Sequence, residues 1–347
     1  MLEHATTPTT GRDRSGVGRL LGLGLLLVVC WLGVEHTRGN PPDETTTLRV
    51  GVLQFGTVTW ELETLRRHGL LDPHGVTLEV VPLASENALA VALQGDRVDL
   101  IVSDWLWAAR QRDAGHAYQF APYSLSIGAV MIDPAAGIDG VTDLPGRKLG
   151  IAGGPVDKTW ILLRAYARER HDLDLGATVE PTYAAPPMIN ALMLDGTLPA
   201  AVNFWHYNAR LESRDMQALL TIEQMLADLG IEPLPPLLGW VFREEWAERH
   251  HQALQAFLAA TYEAKRILAT DDTAWEPLRT LVRPEDERMF STLKAGYRDG
   301  IPRRYGDAEI EAAQRLFEIL AEEGGGALVG GVRHLDPQVF WDGFRLP

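Results

Sequence analysis

Val98-Asp99-Leu100-Ile101-Val102-Ser103-Asp104-Trp105 is a short apolar run that ends in two small polar residues and a tryptophan. A run of this length, closed by residues that cap helices well, reads as a buried strand passing into a helix over 104–113. Working outward, Leu48–Leu53 is a strand. Trp60–Leu70 is a helix with Leu62, Leu65 and Leu70 on one side and Gly69 at its end. Val76–Val81 is a strand, Asn87–Leu93 a short helix closed by Gly95, and Ser126–Ile132 a further strand. The same order recurs downstream: strand 148–152, helix 158–168, strand 179–183, helix 188–194, strand 200–204, and a helix opening at 209–212. Strands and helices alternating at this spacing predict parallel strands with crossover helices. The halves share element order, and no sequence repeat of fixed period is visible. Pro233-Leu234-Pro235-Pro236 precedes a strand over 237–242, and from Glu244 the chain reads as helical over 244–269, 273–281, 285–297 and 307–322, with Gly324-Gly325-Gly326 ending that block.

The chain has 347 residues and a formal charge of −15. That charge argues against general nucleic-acid binding and against attraction to anionic lipids. The single cysteine, Cys30, leaves the rest of the chain without a disulfide, a cysteine-based zinc site or a catalytic thiol. Arg12, Arg14 and Arg19 precede an apolar run from Leu20 to Val34, and polar sequence follows. This is the order of a secretory signal, and residues 1–34 are expected to be a signal peptide or, uncleaved, an N-terminal anchor. Leu27-Val28-Val29 before Cys30 lacks the small residues of a lipidation site. Residues 35–47, polar and carrying Pro41 and Pro42, read as a linker.

Four stretches in order carry a resemblance: Leu48–Trp60; Asp99–Asp104; Arg147–Pro155 leading into Leu162-Leu163-Arg164-Ala165; and Leu198–Tyr207. Together they resemble the periplasmic solute-binding proteins of ABC importers for nitrate, sulfonates, taurine and thiamine precursors, over about residues 48–335. The resemblance implies an α/β, two-lobed periplasmic-binding-protein-like fold of type II, with the ligand cleft between lobes. Lobe 1 would be discontinuous, 48–130 plus 236–347, and lobe 2 would be 131–235. It implies a monomer that delivers a small molecule to an ABC permease in the cytoplasmic membrane, with no cofactor, metal or catalytic residue of its own.

In open α/β sheets ligands bind beyond the carboxyl ends of the strands. That places the candidate ligand-binding residues at Gln54, Thr57 and Trp60; Ser103, Asp104 and Trp105; Gly153, Gly154, Asp157, Lys158 and Trp160; Asn203, Trp205 and His206; and Trp240. Five tryptophans at predicted strand ends suggest an aromatic-lined cleft for a planar or cationic solute. Each has a plainer reading as core packing. Asp104 and Asp157 read equally as helix N-caps, Lys158 as a solvated first-turn side chain, and His206 as a structural histidine. Gly153 and Gly154 allow close backbone approach, but no arginine cluster accompanies them, which weakens an anion site. The sequence holds no G-x-S-x-G, H-E-x-x-H or P-loop motif. A solute sensor is a second reading. An enzyme of the same fold is a third; the thiamine-pyrimidine relatives carry a cysteine-rich iron motif that this chain lacks.

Overall fold

The computed structural model describes residues 46–346; the expected signal or anchor at 1–34 lies outside them. In chain order the strands are β1 (Thr46–Leu53), β2 (Val76–Leu83), β3 (Leu100–Asp104), β4 (Tyr118–Ser124), β5 (Gly128–Ile132), β6 (Lys148–Ala152), β7 (Glu180–Ala184), β8 (Ala200–Phe204), β9 (Gln217–Thr221) and β10 (Leu238–Arg243). The helices of the first half are α1 (Val58–Arg67), α2 (Glu86–Gln94) and α3 (Trp105–Asp113). Those of the second are α4 (Lys158–His171), α5 (Leu175–Thr178), α6 (Pro186–Leu194), α7 (Trp205–Glu212) and α8 (Ile222–Asp228). A helical tail follows: α9 (Glu244–Arg249), α10 (His251–Thr270), α11 (Arg279–Val282), α12 (Glu287–Asp299) and α13 (Asp307–Val329).

The strands form two sheets, ordered β2-β1-β3-β10-β4 and β7-β6-β8-β5-β9. The expectation of parallel strands holds only in part. β1 pairs in parallel with β2 and β3, and β6 with β7 and β8, through crossover helices. β10 runs antiparallel between β3 and β4, and β5 antiparallel between β8 and β9. The reason lies in the connections: β5 and β10 each enter their sheet from the other half, without a crossover helix to reverse the chain. β4 and β9 also escaped the sequence reading.

At four pairs of elements the two halves are in step to the residue. Val58 and Lys158 open α1 and α4, Glu86 and Pro186 open α2 and α6, Leu100 and Ala200 open β3 and β8, and Trp105 and Trp205 open α3 and α7, each pair 100 residues apart. The repeat is invisible in sequence because few side chains are shared. Two tryptophan pairs do survive it, Trp60 with Trp160 and Trp105 with Trp205.

Packing follows the apolar pattern. Leu48 and Val50 of β1 are fully buried with Trp240 and Phe242 of β10 and Phe257 of α10. Asp99, ahead of β3, is also buried: it accepts the backbone N–H of Arg49 at 2.8 Å and pairs with its guanidinium at 2.6 Å, pinning β3 to β1. The tail lies against both halves. α10 packs on α1, α12 on α7, and α13 on α3 and α4. Phe317 and Leu320 of α13 join one apolar core that runs from Trp105 in the first half to Trp160 in the second. The glycine triplet does not stop α13 but bends it, at Gly325 with φ 54° and ψ −160°, a combination only glycine adopts without strain.

Candidate functional site

Strand ends of both sheets meet beside the segment that joins them. Ser124, the last residue of β4, and Leu125 and Ser126 before β5 are tied to the end of α12. The Leu125 N–H donates to the Gly300 carbonyl at 2.8 Å, Ser124 Oγ to the same carbonyl at 3.3 Å, and Ser126 Oγ to that of Gly296 at 3.2 Å. Next to this crossing lies a cavity of about 10 Å³, room for roughly one water, lined by Thr57, Tyr123, Ser124, Trp205, Lys265, Tyr297, Gly300 and Ile301. Thr57 comes from the tip of β1 in the first sheet, Trp205 from the tip of β8 in the second.

Behind the cavity stands a buried polar cluster. Lys265 of α10 contacts the Glu61 carboxylate of α1, and both side chains are almost wholly shielded from solvent. The Tyr297 hydroxyl donates to Glu61 Oε2 at 3.0 Å, while Glu61 Oε1 is buried without a partner among the described residues. The Lys265 ammonium also sits 3.9 Å from the centre of the Tyr123 ring. Burial pulls the Lys265 pKa down and pushes those of Tyr123 and Tyr297 up; the Glu61 charge at contact opposes the first of these shifts. An aromatic wall completes the site: Trp60 meets Trp205, Trp275 and Tyr297 with ring centres 6.0, 5.9 and 6.0 Å apart.

The residues expected from sequence divide in three. Thr57, Trp60 and Trp205 stand at or against the cavity, with Gln54 exposed in the loop before Thr57 and Ser103 half-buried at the end of β3. Trp105 and Trp240 do not present ring faces to a cleft. Both are 0% exposed, Trp105 against Phe317 and Trp240 between Tyr123 and Phe257. Trp160 is buried likewise in the core shared with α13. These three point inward because the first turn of a crossover helix, like a central strand, turns one face to the sheet core. Asn203 is buried and its amide is fully engaged, donating to Pro186 O and Asn190 Oδ1 and accepting the Phe204 N–H.

The remaining candidates lie at the facing helix starts of the two halves. Asp104 caps α3 by accepting the Trp107 N–H at 2.7 Å, and Asp157 caps α4 by accepting the Trp160 N–H at 2.9 Å. Lys158 Nζ then reaches from the second half to Asp104 Oδ2 in the first, at 2.9 Å. Gly153 and Gly154 hold positive φ of 81° and 100° in the turn before Asp157. His206 is kept neutral, its pKa pushed down to about 3 by burial and by the Arg210 charge.

Asp157 makes a testable exception among the caps. Burial raises its pKa to about 6, against the hydrogen bonds to the α4 N–H groups and the Lys158 charge that favour the ionised form. A carboxyl whose folded pKa is raised contributes its full stability below the unfolded value. That contribution is lost as pH climbs through 6. Asp157→Asn keeps a good cap and removes the buried charge. The variant is expected to be more stable than the parent at pH 7.5 by on the order of 1–2 kcal/mol allowing for partial solvent access, and so to melt at a higher temperature, with the difference vanishing below pH 4. Thermal melts across that range check it.

A larger groove of about 380 Å³, lined by Arg112, Asp113, His334 and Asp336 among others, opens at the far end of α3. It lies away from the strand tips, and Arg112 is already paired with Glu244 at 2.8 Å, so the crossing cavity is the better candidate. Among the described residues no group of three or more His, Cys, Asp or Glu is placed to hold a metal ion, and no helix is long and apolar enough to cross a membrane.

Solved structures share this architecture. The periplasmic aliphatic sulphonate-binding protein SsuA of Escherichia coli superposes with a TM-score of 0.65 at 16% identity, covering 80% of this chain and 92% of that one. The fold is that of the two-lobed periplasmic binding proteins. The alkanesulfonate-binding SsuA of Xanthomonas axonopodis pv. citri, bound to MOPS, gives a TM-score of 0.64 at 15% identity over 86% of this chain and 99% of that one. The fold is shared too by a mutant of DSZB in complex with biphenyl-2-sulfinic acid, TM-score 0.55, 12% identity, 81% of this chain and 93% of that one. No protein-family model matches the sequence, and no curated protein does.

Proposed function

We propose that this chain is the solute-binding component of an ABC-type importer, working on the outer side of the cytoplasmic membrane. On this reading residues 48–130 with 236–347 make one lobe and 131–235 the other. A small organic solute enters between them, and a membrane permease receives it. The observation that carries the reading is the meeting of Thr57 and Trp205, from strand tips of different sheets, at the chain crossing, where the space has room for about one water and must widen by parting of the lobes to admit a solute. Two-lobed binders hold ligands at such a place because closure removes the solute from water on both sides at once. On this reading Gln54 and Ser103, from the ends of β1 and β3, would offer further hydrogen bonds to the solute, and Trp60 packs edge-on against the Trp205 ring.

A thermal-shift screen tests it, with taurine, methanesulfonate, MOPS, nitrate and substituted pyrimidines as probes. A bound solute at a hundredfold excess over its dissociation constant stabilises the fold by about 2.7 kcal/mol, which reads as a melting point several degrees higher. Unchanged melts across these classes at millimolar concentration would count against a solute receptor. Consumption of a stabilising probe would instead make the chain an enzyme on the same fold.

A further inference from the structure

The 100-residue step between the halves gives two edges related by the same exchange. The contact between the exchanged helix starts differs at each, although ion pairs such as Arg214–Asp286 and apolar packing through α13 also cross them. At one edge α1 faces α7, and the contact is the dry Trp60–Trp205 pair, with ring centres 6.0 Å apart at 85°. At the other edge α4, the counterpart of α1, faces α3, the counterpart of α7. There the contact is an ion pair, Lys158 Nζ to Asp104 Oδ2 at 2.9 Å, with side chains only 24% and 13% exposed.

We propose that Asp104 and Lys158 are a tie that sets how readily the two halves close, rather than contacts for the solute. The inference rests on the receptor reading above for its purpose, but its geometry stands without it. Neither charge is free for a ligand. Asp104 Oδ1 is held by the α3 N–H at Trp107 and Oδ2 by Lys158. Lys158 lies among acidic neighbours on both halves, Asp104 and Glu86 from the first and Asp157 from its own, and the Arg110 charge also acts on Asp104. A second pairing reinforces the same edge: the carboxylate of Glu323 in α13, its side chain 3% exposed, takes Arg164 at 2.6 Å and Arg168 at 2.7 Å, both from α4. Salt screens a partly buried contact pair less than an exposed one but still weakens it, whereas it does not weaken a tryptophan contact. Lys158–Asp104 is thus a direct ionic contact between the facing helix starts of the two halves, and its loss should favour opening.

The test measures opening directly, with no solute added. Val91 in α2 and Ala191 in α6 are both exposed and occupy matching positions in the two halves. In a full-length chain carrying Cys30→Ser, Val91→Cys and Ala191→Cys, spin labels report the distance between halves. Lys158→Met and, separately, Asp104→Asn (which keeps the cap) should raise the ratio of long to short distances about threefold to tenfold at low salt. The parent should move part of the way toward the variants as sodium chloride rises toward 1 M, and the variants should respond less than the parent. Lys158→Arg should restore the parental distribution, and the double variant should open no further than either single one. Distance distributions that are the same in parent and variants at low salt, or a salt response unchanged by Lys158→Met, would overturn the tie. Because no solute is present, failure here leaves the receptor reading untouched, and failure of the solute screen leaves the tie untouched.

Discussion

Lys265→Ala should destabilise the protein by about 3–5 kcal/mol, the usual cost of leaving one member of a buried ion pair uncompensated. The Glu61 carboxylate would lose its cationic partner while keeping only the Tyr297 hydroxyl on Oε2. Its other oxygen is buried and unpaired already. The same reasoning predicts that the loss is largely not additive. Glu61→Leu with Lys265→Met replaces the pair by apolar side chains of similar length, and such exchanges are often neutral or stabilising. Urea unfolding of the parent, Lys265→Ala and the double variant checks both statements. A double variant as unstable as Lys265→Ala would show that the cluster holds the fold in some way other than mutual neutralisation. If the double variant folds but no longer responds to a solute that stabilises the parent, the pair also shapes the binding cavity that Lys265 lines.

Trp105→Ala and Trp240→Ala should each cost about 3–5 kcal/mol of stability through lost burial and the cavity left behind. Both rings are wholly enclosed, Trp105 by the core that includes Phe317 and Trp240 by Tyr123 and Phe257. This differs from what an aromatic cleft would give, namely a binding loss of roughly 1–3 kcal/mol with the fold intact. Trp205→Ala is the informative contrast. That ring is only partly buried and lines the cavity, so its loss should fall more on solute affinity and less on the melting point. Denaturation and ligand titration on the same three variants separate the two effects.

The sequence carried the α/β alternation because each strand was a short apolar run ending in polar residues, with a helix starting soon after. It did not carry strand direction for β5 and β10. Direction depends on how the chain crosses between halves, and an apolar run is the same read either way. It did not carry the 100-residue step either, since apolar residues substitute freely for one another within a core. At the site, the strand-tip rule points to Thr57 and Trp205, which line one cavity, but it does not tell which tryptophans turn inward. Tyr123, Tyr297 and the Glu61–Lys265 pair went unnoticed. One signal for them was present. Lys265 continues the apolar series Leu254, Leu258, Thr261 and Leu268 of α10, and Glu61 sits between the buried Trp60 and Leu62. A charge at a position whose helical neighbours are all buried needs a partner, and two such charges in one chain suggest each other. Lys158 and Asp104 were singled out by position, but an ion pair between residues 54 apart in sequence follows only from the facing of two helix starts.

A crystal structure grown with whichever small molecule most raises the melting temperature is the sharpest check on the whole account. The account predicts electron density for that molecule between Thr57 and Trp205, walled by Tyr123 and Tyr297. Density seated instead in the Arg112–His334 groove, with the space beside the chain crossing unchanged, would contradict it.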